Sequence, residues 1–161
     1  MDKPTRSARL PDLSERPFHL TLDRSFPLGP DILYRAWTQG LESWFAAPGS
    51  ACVRAEVDAP FYFETEYRPK SHAGVRRHPH YGRFLQLVPD RLVQMTWVTG
   101  SGGTDGAETV LTVEFVPHGD TTGIRLTHAG FASEAARDAH EHAWPTVLEH
   151  LEQQLVPAQG A

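Results

Sequence analysis

Residues 109–131, TVLTVEFVPHGDTTGIRLTHAGF, hold two runs of alternating polarity around one turn. Leu111, Val113 and Phe115 alternate with Thr112 and Glu114, and Ile124, Leu126 and His128 alternate with Arg125 and Thr127. Period two marks a strand with one buried face, because successive side chains leave a pleated chain on opposite sides. Pro117, Gly119 and Asp120 supply the turn between the runs. The second run carries His128 on its apolar face and passes through Ala129 and Gly130 toward a helical stretch. A sheet that wets one face must bury the other, and that helix is the nearest element able to cover it.

The helix is predicted over residues 134–155. Ser133 suits an N-cap, Glu134 suits the positive end of the helix dipole, and Ala136, Ala139, Ala143, Val147, Leu148, Leu151 and Leu155 recur at helical spacing. Pro145 lies inside it, removes one backbone hydrogen bond and predicts a bend near Ala143 and Trp144. Upstream, alternation predicts strands at 18–26, 52–58, 61–67, 80–88 and 91–99. Between the first two, Pro30 opens a helix with Ile32, Leu33, Ala36 and Trp37 on one face, and a shorter helical piece covers 41–45. Residues 68–79 read as a polar, cationic hairpin loop and 100–106 as a glycine-rich turn. The facing of strand 80–88 stays open, because Phe84 and the Leu85–Leu87 pair compete for the inner face. The order is strand, two short helices, six strands, long helix. It implies an α+β fold, an antiparallel sheet of about seven strands with the terminal helix on its concave face. Residues 1–16 read as a flexible tail, 17–156 as one domain and 157–161 as a second tail.

Composition narrows the partners. The apolar fraction of 40% in 161 residues is enough for a real core and too high for a disordered chain. A net charge of −5 without a basic stripe argues against nucleic acid and anionic membrane. The single cysteine, Cys52, has no internal partner and reads as a packed strand residue in a reducing compartment. The N-terminus lacks the apolar core of a secretion signal and no run is long enough to span a bilayer, so a cytoplasmic location is expected.

Four pieces then carry a resemblance. They are residues 32–37 followed by Leu41-Glu42-Ser43-Trp44-Phe45, the segment GRFLQLVPDRLVQMTW at 82–97, the corner Leu126-Thr127-His128-Ala129-Gly130-Phe131, and Trp144 through Leu151 in the last helix. In this order, over about 17–156, the chain resembles the START-like, or helix-grip, superfamily. The group it is most similar to is related to the C-terminal domain of the activator of the heat-shock-protein-90 ATPase and is often placed with polyketide cyclases. Ala143 stands where that group often has a glycine before the tryptophan, and Pro145 is an addition. The resemblance implies a cavity between sheet and terminal helix. It does not imply one activity, since the superfamily includes lipid carriers, cyclases and cochaperone domains.

The expected ligand is therefore a hydrophobic or aromatic small molecule, lipid- or polyketide-like, bound without catalysis. Its wall would be Phe61, Phe63 and Tyr67 from one strand, Val93, Met95 and Trp97 from another, and Val113, Phe115, Leu126 and His128 from the central pair. Trp37, Trp44 and Trp144 would complete it from the helices. The plain alternative is that these residues simply pack together as core. His128 either orients a ligand, serves as acid–base in a cyclase- or hydrolase-like enzyme, or is a satisfied core histidine. A third reading is a cochaperone-like or stress-response domain with a chaperone or other protein as partner, as monomer or homodimer. No cofactor and no metal are expected. His78 and His80, two apart, share a face in an extended chain, His72 is nearby and the terminal helix adds His140 and His142, but no third ligand is assigned and a solvated loop explains the pair. Glu64 and Glu66 fall on the outward face, which argues against a catalytic carboxylate pair. Arg83 and Gln86 are candidates to border the cavity.

Overall fold

The alternation that opens the sequence is realised as a hairpin in the computed structural model, which describes residues 7–67 and 74–156, with Tyr67 by its backbone alone. β5 (Thr109–His118) and β6 (Thr121–Phe131) pair antiparallel, with Val113 opposite Leu126 and Leu111 opposite His128. β1 (Phe18–Phe26), β2 (Pro60–Tyr67), β3 (Arg76–Val88) and β4 (Leu92–Trp97) complete one antiparallel sheet in the order β1-β6-β5-β4-β3-β2. α1 (Pro30–Trp37) and a single 3-10 turn at Leu41–Ser43 follow β1, and α2 (Glu134–Leu155) closes the chain. Ser133 caps α2 by accepting the Ala136 N–H, 3.1 Å away. The helix continues through Pro145.

Among the described residues the sheet has six strands, where about seven were expected. Residues 52–58 meet β2 only at Cys52 and Tyr62, with backbone bonds of 2.7 and 3.0 Å. The segment then turns back on itself, the Glu56 N–H bonding the Arg54 carbonyl, and Asp58 takes a positive φ of 69°. A ladder cannot propagate through a turn. Cys52 is consequently exposed rather than packed.

The inner face of the sheet, α1 and α2 enclose the main core. Phe63, Val93, Leu111, Val113 and Leu126 from the sheet meet Leu33, Leu148 and Leu151 from the helices, all fully buried. β3 resolves its own ambiguity through a register shift between Phe84 and Gln86. One extra residue lets Phe84 pair with Met95 and Leu87 with Val93, so both face inward while Leu85 faces out. Leu85 is still buried, because it packs with Ala8 and Val110 in a small second cluster on the outer face. Residues 7–16, expected as a flexible tail, supply that cover. The Ala8 N–H bonds the Leu85 carbonyl at 2.7 Å, and the Arg16 guanidinium bonds the carbonyls of Gly130 and Glu108.

Gly82 marks a close crossing of β3 over β4. A Cβ there would sit 2.1 Å from the Thr96 carbonyl oxygen and 2.9 Å from the Phe61 ring. Backbone cannot swing aside as a side chain can. Gly82→Ala is expected to lose about 1–3 kcal/mol of stability, read as a lower urea midpoint. An unchanged midpoint would show that β3 can move away from β4.

Candidate functional site

Gly130, with φ of 92°, turns β6 toward α2, and the turn brings His128 under Trp144. The Trp144 indole N–H donates to His128 Nδ1 at 3.1 Å. Nδ1 is then an acceptor, which places the ring proton on Nε2, 2.7 Å from the Thr109 hydroxyl oxygen. That hydroxyl donates in turn to the Trp97 carbonyl at 2.5 Å. The relay ties α2, β6, β5 and β4 together, and both His128 nitrogens are consumed by it. Burial, with the neighbouring His140 second, pushes the His128 pKa well below the ordinary histidine value. A neutral ring with two committed nitrogens has neither a free lone pair for a base nor a free proton for a ligand.

Beside this corner lies a recess of about 230 Å³ between β3, β4, the turn at 99–106 and α2. Its apolar walls are Phe45, Trp97, Trp144 and Val147, and its mouth includes the exposed Ala143 and Gly102. Its polar groups are Thr65, His78, His80, Thr99 and His140. The floor of the turn is held by a Thr99–Thr104 clasp, each backbone N–H bonding the other hydroxyl at 2.8 Å. Wider depressions of about 560 and 730 Å³ run along residues 23–25 with 123–125 and along 52–60. Both are lined mostly by exposed side chains and neither has an aromatic wall.

His80 is the polar centre of the recess. Only 7% exposed, it stacks on Phe63 at 4.8 Å and 11° and meets Trp97 edge-on at 5.1 Å. Its Nδ1 donates to the His78 carbonyl at 3.0 Å. Burial lowers its pKa to about 3, so the ring is neutral at pH 7. His140 reaches in from α2, with Nδ1 donating to the Ala136 carbonyl at 2.8 Å, and burial lowers its pKa as well. The solvated loop that sequence suggested for His80 is thus corrected. β3 begins at Arg76, ahead of the expected start, and its alternation carries His80 inward with Phe84. Among the described residues no set of three or more His, Cys, Asp or Glu side chains is placed to hold a metal ion.

Of the cavity wall read from sequence, Trp97 and Trp144 border this recess. Phe61, Phe63, Val93, Met95, Val113, Phe115, Leu126, Trp37 and Trp44 are buried among one another as core. Trp37 and Trp44 meet at 5.1 Å, and Trp44 donates its N–H to the Ala36 carbonyl at 2.8 Å. The Tyr67 side chain lies outside the described residues. Arg83 and Gln86 lie elsewhere. Arg83 bonds the Arg9 carbonyl and pairs with Asp58 at 3.5 Å, and Gln86 bridges Ser7. Glu64 and Glu66 pair with Arg77 across the strands at 3.2 and 3.5 Å. Sequence reasoning passed over Phe45, Thr99, Ala143 and Val147. The one signal for His80 was its even spacing from Gly82 and Phe84.

The sequence matches the family described as Activator of Hsp90 ATPase homolog 1-like protein over residues 28–155. The chain belongs to this family. Solved structures share the fold of this homolog 1-like chain. A Chromobacterium violaceum protein is 20% identical with a TM-score of 0.70, covering 87% of this chain and 98% of that one. A Silicibacter pomeroyi protein bearing the family's name is 20% identical with a TM-score of 0.68, covering 85% and 96%. An Hsp90 activator from Plasmodium falciparum is 18% identical with a TM-score of 0.61, covering 86% and 96%. No curated protein matches the sequence significantly. No helix among the described residues is long and apolar enough to cross a membrane.

Proposed function

We propose that the recess between β3, β4 and α2 binds one small aromatic molecule, without covalent catalysis. The observation that carries this reading is an aromatic-walled space of about 230 Å³ with the buried, neutral His80 in its wall. Ligand sites are mostly apolar with a few placed polar groups. An apolar cavity of about 150 Å³ holds benzene, so this volume suits one or two rings rather than a lipid chain or a polyketide. The centre of the sheet, where a larger ligand would lie, is filled by Phe61, Phe63, Met95 and Phe115. A non-catalytic role fits the same residues. Among the described lining residues there is no carboxylate, and His128 is locked in its relay.

Titration of the protein with indole and naphthalene, followed by proton–nitrogen correlation spectra, tests the reading. The indole N–H signals of Trp97 and Trp144 are expected to shift, and those of Trp37 and Trp44 to stay. Ala143→Trp at the exposed mouth should abolish the shifts while leaving stability within about 0.5 kcal/mol. Shifts confined to other surfaces would move the function to a protein partner, a chaperone among the candidates. The observation favouring that second reading is a pair of exposed tyrosines, Tyr62 and Tyr81, directly opposite each other on β2 and β3.

A further inference from the structure

We infer that the occupant of this recess donates a hydrogen bond to Nε2 of His80. The ligand class is then a compact phenol or an N–H heteroaromatic, not a carboxylate and not a bare hydrocarbon. This rests on the small-molecule reading above and adds the chemistry that selects among aromatic molecules.

The His78 carbonyl can only accept, so the bond from His80 Nδ1 fixes the ring proton on that nitrogen. Nε2 is left with a lone pair and no proton. It has no hydrogen-bond partner among the described residues, although the side chain is more than nine-tenths buried and borders the recess. The His80 ring forms part of the recess wall. Stacking on Phe63 and edge contacts to Trp97 and Phe45 hold the ring and prevent a swing that would trade the two nitrogens. A buried acceptor in an apolar setting strongly favours an occupant that satisfies it.

The opposite wall repeats the arrangement. His140 donates Nδ1–H to the Ala136 carbonyl and, neutral, keeps an acceptor at Nε2. The Trp144 N–H, the obvious donor on that wall, is already given to His128. Among the described residues no lysine or arginine lines the recess. A carboxylate would face those lone pairs in a largely apolar site, with no lysine or arginine of the described residues to offset its charge. A hydrocarbon would leave Nε2 unpaired. An uncharged ring bearing O–H or N–H meets both demands, with its face against Trp97 and Trp144.

Fluorine NMR of the full chain with 4-fluorophenol, 4-fluorotoluene and 4-fluorobenzoate decides the matter. The phenol is expected to bind roughly three- to tenfold tighter than the toluene, the worth of one good hydrogen bond, and the benzoate not at all. Phenol binding should also move the His80 Nε2 nitrogen resonance in the wild-type protein, a readout that needs no variant. In His80→Phe, which keeps the ring stack, the phenol and the toluene should become equal. Equal binding in the wild type would overturn this inference and leave the small-molecule reading standing. Tighter binding of the benzoate would also overturn it. Binding of none of the three would remove both.

Discussion

Trp144→Ala is expected to lower the free energy of unfolding by about 3–5 kcal/mol, the usual cost of emptying a large aromatic site in a core. Trp144 is 3% exposed and packs against Trp97 at 5.7 Å and Trp37 at 6.2 Å. It is the residue through which the middle of α2 reaches β4 and β6. Truncation removes that contact and strips the donor from His128 Nδ1. Trp144→Phe separates the two effects. It keeps most of the apolar surface, and its cost should be mainly the orphaned nitrogen, about 1–3 kcal/mol. His128→Leu orphans the indole N–H instead. The double variant removes both partners and should be less destabilised than the sum of the singles, by about 0.5–3 kcal/mol. Urea midpoints with unchanged slopes would measure all four proteins. Strict additivity would show that the Trp144–His128 bond contributes nothing to holding the helix on the sheet.

Acidification from pH 7 to 4.5 is expected to remove about 3 kcal/mol of stability through His80 alone. Burial holds its folded pKa down at about 3, against an ordinary 6.5. Between those values the unfolded chain binds a proton that the folded chain refuses. Stability therefore rises with pH across this window, is complete above about pH 6.5, and is lost progressively as pH falls toward 3. His128, lowered for the same reason, adds to the loss in the same direction. Carboxylates contribute a background, so the comparison is with His80→Phe. Its midpoint should fall less than that of the wild type between pH 7 and 4.5, by about the same 3 kcal/mol. Parallel curves for the two proteins would mean that His80 takes up its proton in the folded state and is not held in a dry site.

The family was legible in the sequence because its marks are local. The β5–β6 alternation, the corner at 126–131 and the capped helix after Ser133 are patterns of neighbours along the chain, and the structure realises each of them. The relay at the corner was half visible. His128 stood in phase with Ile124 and Leu126 and was read as inward, but its partners Thr109 and Trp144 lie 19 and 16 residues away. The proposed recess lies apart from most of the residues read as its wall. Large aromatic residues on inward positions were read as cavity wall, whereas Phe61, Phe63 and Phe115 fill the space they were thought to surround. Periodicity says which way a side chain points, and the volume left between two packed faces depends on how they interdigitate.

The sequence by itself determined the α+β order, the inner faces of β1, β2, β4, β5 and β6, and the membership in a family of common fold. Those follow from the pleat and the helical repeat, which act over a few residues. Only the tertiary structure decided that residues 52–58 break off after a single bridge, and that one extra residue in β3 sends Leu85 outward beneath Ala8. It also decided that His80 and His140, distant in the chain, face one recess beside Trp97. Register, bulges and gaps are set by contacts made across the sheet, and no pattern along a single strand encodes what its neighbour leaves unfilled.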